Sequence, residues 1–287
     1  MKANETKFLS ILEGTKQYVV PLFQRAYSWE AKQWTTLWED LLTLCENDEP
    51  KTHFIGSLVT MPSQSVPEGI PKYLLIDGQQ RLTTTLILLI VLRDLAKEQR
   101  DENLSAEINE TMVVNRFKAE PDYFRLLPTQ VDREQFCNLV RGANPNTEGK
   151  LVECYNFFRG KVKQSKAEIS DLKQVITSRL SVVSIVLDPD DNPHLVFESL
   201  NATGQPLTQS DLIRNFYFMR IHMNEQEKVY NNYWKPMENN LGKDLTEFIR
   251  HYLMRNGNNI RQTDVYFTLK DKVEPGKALD SLRGYPI

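Results

Sequence analysis

The residues best suited to chemistry stand at Ile76-Asp77-Gly78-Gln79-Gln80-Arg81-Leu82-Thr83-Thr84, where an apolar run meets a carboxylate, a glycine, two amides and a guanidinium. Gly78 permits a positive-φ turn or the close approach of a ligand. A helix starting just after it offers unpaired N–H groups and the positive end of its dipole, an arrangement that holds anions. Arg81 adds a planar fork suited to phosphate, and Asp77 can hold a metal, orient Arg81 or activate water. The structural alternative is a plain Asp-Gly turn closed by an Asp77–Arg81 ion pair. Two glutamines and an arginine serve packing poorly at the mouth of so apolar a helix, which favours the functional reading. The segment is not a Walker A loop, which needs G-x-x-x-x-G-K-[ST].

Three further stretches concentrate polar and planar side chains at element ends. Pro21-Leu22-Phe23-Gln24-Arg25-Ala26-Tyr27-Ser28-Trp29 combines an amide, a guanidinium and three aromatics, which can stack on a base and fork a phosphate. It reads equally well as a loop whose aromatics pack on the core. Phe197-Glu198 through Asn215 contains Asn201, Gly204, Asp211 and Asn215 at a joint between helices. Such a joint is commonly structural, and the same side chains can line a pocket. His53-Phe54-Ile55-Gly56-Ser57 leads into a strand, with His53 a structural residue or an acid–base group.

The elements that position these residues follow from periodicity and punctuation. Tyr73–Ile76 reads as a strand ending at Asp77-Gly78, and Arg81–Arg100, free of Gly and Pro and apolar on nearly every side at first, as a buried helix. Together they form one βα unit. Asn4 can cap a short helix ending at Gly14, Gln17–Val20 reads as a strand, and Ser28 can cap a helix carrying Trp34, Leu37, Trp38 and Leu41. Phe54–Met61, Met112–Phe117, Tyr123–Leu127 and Ser181–Leu187 read as strands, and Asp132–Val140, Leu151–Val162 and Leu172–Leu180 as helices. From His194 onward the pattern is helical, with Thr208 and Asp211 spaced as a capping box.

The 287 residues suffice for one large or two small domains, and with 40% hydrophobic and 25% charged residues the chain is an ordinary globular one. A net charge of -3 argues against a protein that coats DNA. Three dispersed cysteines and four histidines form neither a disulfide framework nor a zinc or H-E-x-x-H site. The amino terminus has no secretory signal, and the longest apolar run, Leu86–Leu92, is far too short to cross a bilayer. A cytoplasmic, membrane-free protein is expected.

Taken together, Phe23–Trp29, His53–Ser57, Asp77–Thr84 and Phe197–Asn215 resemble the DGQQR family, found at the amino end of GmrSD-type modification-dependent restriction enzymes and of the phosphorothioate-sensing SspE proteins. The similarity in order and spacing spans about residues 8 to 220. It implies an α+β, ParB/sulfiredoxin-like mixed sheet with helices plus a C-terminal α-helical subdomain, divided as residues 1–220 and a helical extension, 221–287. It further implies binding and hydrolysis of a nucleoside triphosphate, GTP or ATP, with Mg²⁺, in phage defence.

Carried onto this chain, the resemblance implies Asp77, Gln80 and Arg81 as catalytic groups. Gln24, Arg25, Gly78, Gln79, Thr83, Thr84, Asn201 and Gly204 would surround the nucleotide, and Phe23, Tyr27 and Trp29 would sense modified DNA. His53, Glu198, Asp211 and Asn215 are further pocket candidates, and no metal ligand is assigned. Ala26 stands where relatives often have Pro. The HNH-type nuclease that usually follows is missing, so a longer chain or a partner subunit is expected to supply it, with homo-oligomers possible in principle. The alternative is a module that binds nucleotide or modified DNA without turnover and docks a nuclease.

Overall fold

The polar amino terminus is a strand rather than the helix expected from Asn4. Lys2–Lys7 forms β1, and only the apolar Phe8–Leu12 coils into α1, which no side chain caps. β2 is Gln17–Val19, and α2 (Ala31–Glu46) buries its tryptophans and leucines at helical spacing. The cap expected from Ser28 is not made: the Glu30 N–H donates to Oε1 of Gln33 at 3.0 Å, and the Ser28 hydroxyl is buried without a partner among the described residues. β3 (His53–Pro62) and β4 (Lys72–Asp77) are antiparallel neighbours.

α3 (Gln79–Glu98) starts directly after Gly78. Sixteen of its twenty residues are buried, so it runs through the core rather than over it. α4 (Glu102–Ile108) passes into a π-turn, Asn109–Val113, where a strand was expected, because only Val114 bridges to Phe124. β5 (Leu126–Leu127), α5 (Gln130–Val140), α6 (Lys150–Gln164), α7 (Ile169–Ser178) and β6 (Leu180–Val186) complete the α+β part.

The six strands make one mixed sheet in the order β1-β6-β3-β4-β2-β5. β1 pairs antiparallel with β6, and β3 lies parallel to β6. β2 lies between β4 and β5, parallel to both. This arrangement puts the carboxyl end of β4 beside the middle of β3, where Val59 pairs with Asp77.

The computed structural model describes residues 1–46, 51–63, 69–143, 148–188, 191, 196, 207–221, 223–255, 257 and 259–273. Packing divides the chain into two units, Met1–Pro21 with Ala26–Asp191, and Leu22–Arg25 with Asn192–Ile287. The second contains α8 (Gln209–Phe218), α9 (Met223–Val229), α10 (Lys235–Leu241), α11 (Leu245–Met254) and α12 (Val265–Lys272). Its core gathers Phe23 with residues of α8 and the helices that follow. The capping box on α8 forms as expected: Thr208 Oγ1 accepts the Asp211 N–H at 3.1 Å and Asp211 Oδ2 accepts the Thr208 N–H at 3.1 Å. No described helix is long and apolar enough to cross a membrane.

Candidate functional site

The strand β4 delivers Asp77 and then needs a sharp reversal into α3. Gly78 supplies it with φ +89°, a left-handed conformation that costs an L-residue roughly 1–2 kcal/mol. Space demands glycine as well: a Cβ there would lie 2.4 Å from Leu58 Cδ2 and 2.7 Å from the Ser57 carbonyl oxygen. A second glycine answers it from β3. Gly56, at φ +110°, sits where the register of β3 against β6 shifts between Phe54 and Ser57. The Arg81 guanidinium lies over it, so that a Cβ on Gly56 would meet Arg81 Cζ and Nε at 2.7 Å. Arg81 Nη1 donates to the Ser57 carbonyl at 2.8 Å and stands 3.9 Å from Asp77 Oδ2. The ion pair expected inside the turn is therefore long, and the guanidinium is held by backbone.

Gln80 faces the other way and fastens the loop before α2. Its Oε1 accepts the N–H of Ser28 at 2.8 Å and of Trp29 at 3.3 Å, while Nε2 donates to the Ala26 carbonyl at 3.3 Å. Tyr27, between them, is buried. Its N–H donates to Asp132 Oδ2 at 2.7 Å. Its hydroxyl accepts from Trp34 Nε1 at 2.8 Å, lies 2.6 Å from Thr84 Oγ1 and donates to Cys154 Sγ at 3.4 Å. Burial, reinforced by Cys154, raises the Tyr27 phenol well above its ordinary range, and burial pushes the Cys154 thiol up to about 12. Both stay neutral and serve as structure.

The mouth of α3 thus combines an arginine that makes one hydrogen bond among the described residues, a carboxylate, and a helix start whose N-cap, Gly78, brings no capping side chain. The first intrahelical bond runs from the Leu82 N–H to the Gly78 carbonyl at 3.1 Å. The partial positive charge of such a helix end and the guanidinium act in the same direction, toward an anion. Residues 8–218 match the family described as GmrSD restriction endonuclease, N-terminal domain. The chain belongs to this family. No curated protein matches it.

Within this GmrSD-type domain the residues singled out from sequence fall in several places. Asp77, Gly78, Gln79, Gln80 and Arg81 lie together at the β4–α3 junction. Thr83 and Thr84 lie in the core below it, and Thr84 spends its hydroxyl on the Gln80 carbonyl at 2.8 Å and on Tyr27. Tyr27 belongs to the first unit's core and Phe23 to the second's, where its ring stacks on Phe218 at 6.5 Å. Both rings are buried, and Trp29 is half-buried. Gln24 is buried and Arg25 half-buried, and both group with the second unit.

His53 opens β3 ahead of the Gly56 bulge and pairs with Asp40 of α2 at 3.1 Å. Asp211 caps α8 and binds Arg214, while Asn215 is buried with its Oδ1 unpartnered among the described residues. Glu198, Asn201 and Gly204 lie outside the described residues. The residues that sequence reasoning passed over are Gly56 and Ser57. A glycine inside a strand pattern was the available signal for a bulge or a close approach.

Proposed function

We propose that the domain acts in a restriction system, the setting that its family suggests. We propose that the start of α3 binds a nucleoside triphosphate, that the domain hydrolyses it, and that the nucleotide state regulates a nuclease acting on modified DNA. The observation that carries this reading is Arg81: a guanidinium seated over Gly56 by one hydrogen bond among the described residues, beside the glycine-capped start of a buried helix. Phosphate oxygens would take the remaining Arg81 donors and the first-turn N–H groups, charge-assisted bonds worth roughly 1.5–3 kcal/mol each. Gly78, having no side chain, lets phosphate approach the backbone. Asp77 would orient water or carry Mg²⁺. That ion, held mainly by the phosphates and water, would supply charge neutralisation.

Titration of each of the four triphosphates with Mg²⁺, with and without modified DNA, tests the reading by binding and by released phosphate. Arg81→Ala should weaken triphosphate binding at least about tenfold. Unchanged binding and turnover in that variant would sink the site. Gln80 favours a second reading, a module that binds without turnover, because its amide is committed to the Ala26–Trp29 loop rather than to a water. Tight binding with no phosphate released at any DNA concentration selects it. DNA cleavage is assigned to a nuclease outside these residues.

A further inference from the structure

Within the first unit, polar residues interrupt two otherwise apolar strands. Ser184 breaks the run of β6, and Thr60 follows Leu58-Val59 in β3. Pairing sets Ser184 between Asn4 of β1 and Leu58 of β3, and Thr60 between Val186 of β6 and Leu75 of β4. With Ser10 and Ile11 of α1 and with Lys16, these strands line a cleft of about 250 Å³. Pockets for drug-sized ligands begin at roughly 300 Å³, so this one suits a smaller molecule. The hydroxyls of Thr6, Thr60, Tyr73 and Ser184 line it, and none is hydrogen-bonded to another described residue. Thr60 is 5% exposed, so its hydroxyl has given up nearly all its water with no described partner in exchange.

The charge around the cleft is one-sided. Lys16 Nζ donates to the Ser10 carbonyl at 2.8 Å and has two further protons. Buried Arg125 donates through Nη1 to the Gly14 carbonyl at 2.6 Å and through Nη2 to the Thr111 carbonyl at 3.0 Å, and its Nε has no partner among the described residues. Burial and Arg125 push the Lys16 ammonium below its ordinary range, and Glu13 offsets them only in part. No carboxylate side chain lines the cleft. Donors, two cations that repel each other and no lining anion leave a negative group to be supplied from outside.

We propose that this cleft binds a small oxyanion, an organic phosphate or carboxylate, with Lys16 as its charge partner and the hydroxyls of Thr60, Ser184 and Tyr73 as its donors. The cleft is separate from the proposed triphosphate site, since none of Asp77–Arg81 lines it, and the proposal does not rest on that site. The two share one wall: Leu58 lines the cleft and its Cδ2 closes against Gly78.

Titration of the whole chain at constant ionic strength with inorganic phosphate, glycerol 3-phosphate and succinate tests the proposal, read by the amide NMR signals of Thr6, Thr60 and Ser184. At least one of the three should shift these signals saturably, and the order of affinities tells phosphate from carboxylate. Lys16→Met should weaken binding at least about tenfold and Thr60→Val about threefold or more. Thr60→Val should nonetheless melt no lower than the wild type, because a methyl replaces a hydroxyl that no described residue satisfies; a packing role alone would leave binding unmoved. Where Lys16→Met fails to fold, Thr60→Val decides. No saturable shift with any of the three, or wild-type affinity in the folded variants, overturns the site. Shifts abolished by Arg81→Ala but kept by Lys16→Met would put the anion at the start of α3 and overturn the cleft as well.

Discussion

Arg81 in the first unit and Arg214 in the second each donate to a backbone carbonyl, yet their remaining donors are used very differently. The Arg214 side chain is 7% exposed; its Nε donates to Phe23, its Nη2 to Asp211 Oδ1 at 2.7 Å and its Nη1 to Glu238. Arg81 is 24% exposed and makes one hydrogen bond among the described residues, with its carboxylate partner 3.9 Å away. A guanidinium whose fork is filled by the protein acts as a strut. One with donors left over among the described residues, beside a helix start whose N-cap is a glycine, has capacity for a ligand. Conserving charge type across two sites therefore says little until the donors are counted.

The largest effect separating the two belongs to Arg214→Met. It takes the guanidinium from the mostly buried Asp211 and Glu238 carboxylates, which keep the Thr208 and Tyr230 donors, and from the Phe23 carbonyl. A loss of about 3 kcal/mol is expected, the low end for breaking a buried pair. In a unit of this size that lowers the melting temperature by on the order of 10 °C, measurable by calorimetry. A shift of only a degree or two would make Arg214 no more a strut than Arg81. Gly78→Ala comes next, at roughly 2–3 kcal/mol, combining left-handed strain with a clash against the Ser57 backbone, which cannot rotate away. If that variant unfolds at the wild-type denaturant midpoint, the turn is not closed as described.

How far the sequence discloses this contrast depends on the range of each interaction. The β4–Gly78–α3 unit is legible because its signals are local: an apolar run, an Asp-Gly turn and twenty residues free of breakers. The Thr208–Asp211 box is local too and forms as read. β1 was not legible, since Lys2–Lys7 is polar and becomes a strand only by pairing with β6, nearly the whole first unit away in sequence. Nor was the role of Gln80, whose bonds to Ser28 and Trp29 span about fifty residues. The block containing His53 drew attention to its histidine, whereas Gly56, by lacking a side chain, is what seats Arg81.

Smaller effects sharpen the contrast between the units. Tyr27→Phe removes the acceptor of Trp34 Nε1 and the partner of Thr84, and should cost the first unit about 1–2 kcal/mol by chemical denaturation. Alkaline pH separates the units as well. Burial lifts the Cys154 thiol from 9.0 to about 12, and in the second unit burial and Glu238 lift the Tyr230 phenol from 10.0 to about 12. Raised folded values mean that the unfolded chain releases these protons first. The associated stability is whole below the unfolded value and is lost as pH climbs toward the folded one, at up to about 1.4 kcal/mol per pH unit. The first unit should begin to weaken near pH 9, and Cys154→Ala should flatten its slope between pH 9 and 10. An unaltered slope would assign the alkaline loss to other groups.

Arg81→Ala should have the smallest effect on stability, below about 1 kcal/mol. The lost Arg81–Ser57 bond is single, the ion pair to Asp77 is long, and a part-exposed pair of this kind is worth a few tenths of a kcal/mol at most. Truncation also opens space over Gly56 that water can fill, so the Ser57 carbonyl need not stay unpaired. Denaturant midpoints of Arg81→Ala and Arg214→Met compared on one preparation decide the matter. A near-silent Arg81 variant that nonetheless loses triphosphate binding marks the residue as kept for a ligand, and one as damaging as Arg214→Met would make it a second strut.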